Sequence, residues 1–94
     1  MEPIEYICTF STLGQLQAAH QYRYRLSSSA AGFLVQLESR GLPGSGRYCF
    51  TADCSAAEAK ALLRLLYENV VPPESGPALA RDMLSVPLQN VGRF

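Results

Sequence analysis

The sequence has no apolar run long enough to cross a bilayer, which takes about 20 consecutive apolar residues in a helix. It also has no basic excess: eight basic and eight acidic residues leave a net charge of zero. General binders of nucleic acid or anionic membranes carry such an excess, so both partners are disfavoured. Cysteine is scarce and odd in number, with only Cys8, Cys49 and Cys54. That count builds no disulfide framework and points to a reducing cytoplasmic compartment. Histidine occurs once, at His20. The opening Met1-Glu2-Pro3-Ile4-Glu5 is acidic where a secretory leader is basic, so no signal peptide is expected. Internal repeats and low-complexity segments are absent.

What is present suits one small globular domain over residues 1–94, with 48% hydrophobic and 17% charged residues. Its strongest local signal is Ser55-Ala56-Ala57-Glu58. A serine hydroxyl accepts from a free N–H of the first turn, and a glutamate three residues on reaches back to the cap. Ala59, Leu62, Leu63, Leu66 and Val70 then recur on one side of a helix. The spacing predicts a main helix over about 55–69, with Arg64 and Glu68 paired on its outside and Asn69 as the C′ residue. Pro72-Pro73 cannot continue it.

Before this helix the composition is that of strands. Ile4–Thr12 alternates Ile4, Tyr6, Cys8 and Phe10 against Glu5, Ile7, Thr9 and Ser11. Leu13-Gly14-Gln15 reads as a turn. A second strand candidate covers Gln17–Leu26: its end is clear, where Tyr22, Tyr24 and Leu26 alternate with Arg23 and Arg25, while Leu16-Gln17-Ala18-Ala19 at its start also suits a helical turn. Ser27–Gly32 reads as loop, 33–39 and 47–53 as further strands, and 41–46 as a glycine-rich loop. Short connections favour an antiparallel meander. After the main helix, Pro77 opens a short second helix to about residue 85. The tail 86–94 reads as extended, with apolar residues that dock on some surface.

Tyr24-Arg25-Leu26, Asp53-Cys54-Ser55, the leucines Leu62, Leu63 and Leu66, Asn69-Val70-Val71-Pro72-Pro73 and Asp82-Met83-Leu84 form a recognisable series. The chain resembles a family of short bacterial proteins from Firmicutes, grouped as a domain of unknown function. That family's pattern is a few strands, a helix started by Asp-x-Ser, an Asn-x-Val-x-Pro motif and a short acidic helical tail. The resemblance covers about residues 20–85; the first strand and the tail match it less. It implies the fold and brings no catalytic residues.

Each candidate for chemistry has a structural competitor. Cys54 lies beside the helix start, where the macrodipole can activate a thiol, but a small half-buried residue closing the last strand is the better fit. A catalytic thiol also needs a base, and only His20 is on offer. The cysteine spacings form no zinc knuckle, although Cys8 and Cys49 can be neighbours in a sheet. No cofactor or metal is expected. Arg23, Arg25, Arg40 and Arg47 make a local basic patch opposed only by Glu38 between positions 20 and 50. Tyr22, Tyr24, Tyr48 and Phe50 near them suit a sheet that stacks RNA bases, but they are also the best residues for the helix to pack on. The glycines of 41–46 lack the placement and the Lys-Ser/Thr of a phosphate loop.

The expected fold is a two-layer α+β domain. A four-stranded, largely antiparallel sheet packs on one main helix, with a short C-terminal helix at one end. The second sheet face has little to cover it, leaving Ile7, Leu34, Cys49 and also Leu16 partly exposed there. Leu65, off the helix stripe as a rim residue or part of a second contact surface, and Phe94 of the tail complete the candidate interaction surface. The leading functional expectation is a non-enzymatic cytoplasmic protein–protein interaction module that self-associates as a homodimer. The alternatives are a thiol-dependent enzyme or redox sensor using Cys54, and a weak RNA-binding sheet.

Overall fold

A computed structural model describes residues 2–11, 19–30, 32–41, 46–84 and 86–93. Five strands form one antiparallel sheet in chain order: β1 (Ile4–Phe10), β2 (His20–Ser29), β3 (Gly32–Arg40), β4 (Arg47–Ala52) and β5 (Leu88–Arg93). Helices α1 (Ala56–Glu68) and α2 (Gly76–Met83) lie between β4 and β5, joined through a 3-10 turn at Pro73–Ser75. The α+β class and the meander are therefore as expected. The strand number is not: the tail completes the sheet as a fifth strand on the outer side of β4.

Alternation sorts the sheet into two faces. Tyr24 and Leu26 on β2, Val35 and Leu37 on β3, and Phe50 and Ala52 on β4 are buried on the helix side. They meet Ala59, Leu62, Leu63 and Leu66 of α1 and Ala80 of α2. The helix stripe read from the sequence is thus the buried face, except that Val70 lies outside it. α1 lies against β1, β2 and β3, while α2 packs on β4 and β5 and the 3-10 turn meets β2, β3 and β4. Tyr24 sits at the centre, and its hydroxyl donates to the Val71 carbonyl at 2.9 Å.

The capping box forms as its residues require. The Glu58 N–H donates to Ser55 Oγ at 3.1 Å, and the Ser55 N–H donates to Glu58 Oε1 at 3.2 Å. Arg64 and Glu68 pair at 2.6 Å. The helix end departs from expectation. Asn69 is the C-cap, and Val70 takes the left-handed position at φ 51. Val70 N–H donates to the Tyr67 carbonyl and Val71 N–H to the Leu66 carbonyl, the paired bonds of a Schellman stop. A β-branched residue is strained there. Because Val70 is 38% exposed, Val70→Gly is expected to stabilise the protein by about 1 kcal/mol, seen as a higher urea midpoint.

Two strand boundaries also differ. β1 ends at Phe10, two residues short of the expected end, and the turn expected at 13–15 lies outside the described residues, as does Leu16. β2 runs on through Ser27, Ser28 and Ser29, read above as loop, because β3 continues opposite it to the pair Ser29↔Gly32. Cross-strand pairing overrides the weak strand preference of serine.

Candidate functional site

The sheet face away from the helices carries the charged side chains of β1 to β4. Reading across the strands by register, one row runs Ile7, Arg23, Glu38, Arg47. The next runs Glu5, Arg25, Gln36, Cys49, and beyond it lie Ser27, Leu34 and Thr51. On the other side of the first row come Thr9, Gln21 and Arg40. The four arginines singled out in the sequence therefore share one face, and the fold brings them together.

Two carboxylates tie this cluster. Glu5 lies 3.1 Å from Arg25 Nε and 3.6 Å from Arg23 Nε. Glu38 accepts from Arg40 and lies 3.8 Å from Arg47 Nε. The Arg40 hydrogen bond and the surrounding guanidinium charges hold the Glu38 carboxyl below its usual range, against the opposing effect of its burial. Arg23 Nε is buried and has no hydrogen-bond partner among the described residues. Arg23, Arg25, Gln36, Glu38, Arg40 and Arg47 line a cavity of about 210 Å³. Glu5 and Gln36 were not picked out in the sequence. The signal for them was the strand alternation that puts Glu5 beside Arg25 across the first hairpin.

The expected apolar surface is only partly formed. Ile7 is 41% exposed, and Leu34 and Cys49 are half-buried on the outer face, but they are separated by charged and polar side chains. Leu65 is half-buried on α1, off the stripe that packs on the sheet. Phe94 lies outside the described residues. A continuous apolar second face is therefore corrected to a charged face with isolated apolar positions. The aromatics sort the other way: Tyr22, Tyr24, Tyr48 and Phe50 lie on or beside the buried core. They are core residues, as the competing reading held.

The sheet has two edges of different character. β5 is irregular: its register shifts between Cys49 and Thr51, and Asn90 takes φ 53. Asn90 Nδ2 donates to Thr51 Oγ1 at 3.0 Å, and Thr51 Oγ1 donates to the Gln89 carbonyl at 3.1 Å, which fixes this bulge in place. β1 pairs regularly with β2 along all seven of its residues and has no strand on its other side among the described residues. Beside this edge, Ile4, Tyr6, Lys60, Ala61, Leu63 and Arg64 line a groove of about 380 Å³ between β1 and α1. Tyr6 forms its floor and stacks on Tyr67 of α1 at 4.8 Å.

Cys54 does not show the activation its position suggested. Burial, with the nearby carboxylates of Glu58 and Asp53, pushes its thiol up rather than down. Cys54 packs against the core. His20 is engaged elsewhere, stacked on Phe10 at 4.2 Å. Cys8 and Cys49 are not neighbours: two strands separate them, Cys8 faces the core and Cys49 the outer face. Among the described residues no three His, Cys, Asp or Glu side chains group as metal ligands, and no helix is long and apolar enough to cross a membrane.

No family model matches the chain, and neither a curated protein nor a solved structure matches it.

Proposed function

We propose that this protein is a non-enzymatic cytoplasmic interaction module that self-associates, and that its contact is the β1 edge. One observation carries the reading: the regular edge of β1, which no described strand covers. Proteins blunt free edges with prolines, lysines, bulges or covering elements. The β5 edge has such a bulge. Ile4–Phe10 has no proline, lysine or bulge, and it presents an exposed isoleucine at its centre.

A second copy fits this edge by symmetry. Antiparallel pairing about a two-fold axis at Ile7 sets Ile7 against its mate, Glu5 against Thr9, Tyr6 against Cys8 and Ile4 against Phe10. No like charges face each other, and backbone groups open along the edge gain partners. The groove beside β1 then lies along the seam, where apolar side chains of the second copy can fill it. The result is one continuous sheet with the helices of both copies on the same side. The likeness to the Firmicutes family belongs to the same reading, since it too supplies a fold and no catalytic set.

Sedimentation equilibrium tests this. The chain should approach twice its monomer mass as concentration rises. Ile7→Lys places two ammonium groups opposite each other at the axis and should weaken the dimer at least about tenfold. A monomer at every concentration, or a dimer indifferent to Ile7→Lys, sinks the proposal. The redox-sensor and RNA-binding alternatives have weaker support, given the raised Cys54 thiol and the inward aromatics.

A further inference from the structure

The guanidinium cluster is not needed for the edge contact and has a surplus of positive charge. Four arginines share two carboxylates, Glu5 and Glu38, an excess of two positive charges. The donors are also in surplus: four guanidiniums carry about twenty N–H groups, against about eight acceptor sites on two carboxylates. Arg23 makes this concrete. Its Nε is buried without a hydrogen bond among the described residues, and the nearest Glu5 oxygen, at 3.6 Å, is beyond hydrogen-bonding range. The guanidinium keeps its ion pair with Glu5 and is about a quarter exposed, but a buried N–H without an acceptor still costs free energy. An oxyanion in the cavity these side chains line would satisfy it.

We propose that Arg23, Arg25, Arg40 and Arg47 form a binding site on the outer sheet face for a phosphate monoester. Three features select that chemistry. A phosphomonoester carries up to two negative charges at neutral pH, which matches the surplus. Guanidinium forks bind phosphate oxygens in pairs. The cavity, about 210 Å³, holds on the order of seven waters and is smaller than pockets for drug-sized ligands, which begin at about 300 Å³. It admits a phosphate with a small substituent. A second cavity of about 340 Å³ shares Glu38, Arg40 and Arg47 with it and extends to Gly46, giving the substituent a way out along the ends of β3 and β4.

Nucleic acid fits less well. Single strands are held by aromatic platforms as well as charge, and among the described residues no aromatic side chain lines either cavity. The phosphate therefore comes from a phosphorylated protein side chain or from a small phosphorylated molecule.

Calorimetric titration of the full chain at low ionic strength tests the site, with inorganic phosphate and a short phosphoserine peptide as probes. One saturable site per chain is expected. The double variant Arg23→Gln/Arg47→Gln should weaken it at least about tenfold, and Arg81→Gln, on α2, should leave it unchanged. If the double variant misfolds, Arg25→Gln, whose side chain is 47% exposed, takes its place with the same expected direction. A peptide bound more tightly than inorganic phosphate assigns the site to a phosphorylated protein. Equal binding assigns it to a small phosphorylated molecule. No saturable binding of either probe, or binding indifferent to the arginine variants, overturns the proposal. So does a single-stranded RNA that binds more tightly than the peptide through the same arginines.

Discussion

Tyr24→Ala is expected to lose about 3–5 kcal/mol of folding stability, the range for removing a large aromatic from a core. The ring is fully buried at the point where β2, α1 and the chain leaving α1 converge. Its edge meets Tyr67 at 6.2 Å between centroids, so the cavity would open between sheet and helix with nothing small enough to fill it. The substitution also strips the Val71 carbonyl of its donor, at the residue that completes the helix stop. Burial, chiefly, pushes the Tyr24 phenol above its usual range, so it stays a neutral donor at any ordinary pH. Tyr24→Phe separates the two contributions: it keeps the ring and should cost only about 1 kcal/mol. Domains of this size hold about 5–15 kcal/mol in all, so the alanine variant should melt far below the parent. Urea midpoints with a shared slope measure both. An alanine variant as stable as the phenylalanine one would remove Tyr24 from the centre of the core.

Gly32→Ala is the second large effect, expected at about 2–5 kcal/mol from backbone strain and overpacking together. Gly32 opens β3 at φ 115, where a side chain is rarely tolerated. A Cβ there would lie 2.3 Å from the Ala52 carbonyl oxygen and 2.8 Å from the Asp53 Cα. Both contacts are backbone, at the end of β4 just before the helix cap, so neither can swing aside. Gly92 in β5 is the control. A Cβ there meets nothing within 4 Å, and Gly92→Ala should stay within about 0.5 kcal/mol of the parent. The same urea series measures the pair, and equal losses would mean that the close approach at Gly32 relaxes.

These two positions mark what could be read from the chain. The helix was legible because Ser55, Glu58 and the leucine spacing are local signals that tertiary packing had no reason to override. The inward faces of β2 and β4 were legible because their alternation is strict. The fifth strand was not: Pro87 and Gly92 disguise Leu88–Arg93, and only the free side of β4 makes it a strand. The left-handed Val70 was hidden because asparagine next door is the better residue for that conformation. The arginine patch and Glu38 were visible as composition, but Glu5, the second carboxylate that shares it, became visible only through the cross-strand register. An apolar second face was expected from Ile7, Leu34 and Cys49, and the register instead interleaves them with charge. Cys54 followed the local rule for a helix start, and burial beside Glu58 and Asp53 reversed it.

Amide hydrogen exchange measured across a range of protein concentrations tests the central claim most directly. If two copies join through β1, the outward amides within Ile4–Phe10 gain protection as concentration rises, while those of β5 keep a constant rate. Exchange in Ile4–Phe10 that stays fast and independent of concentration, or protection that rises along β5 instead, would contradict the account.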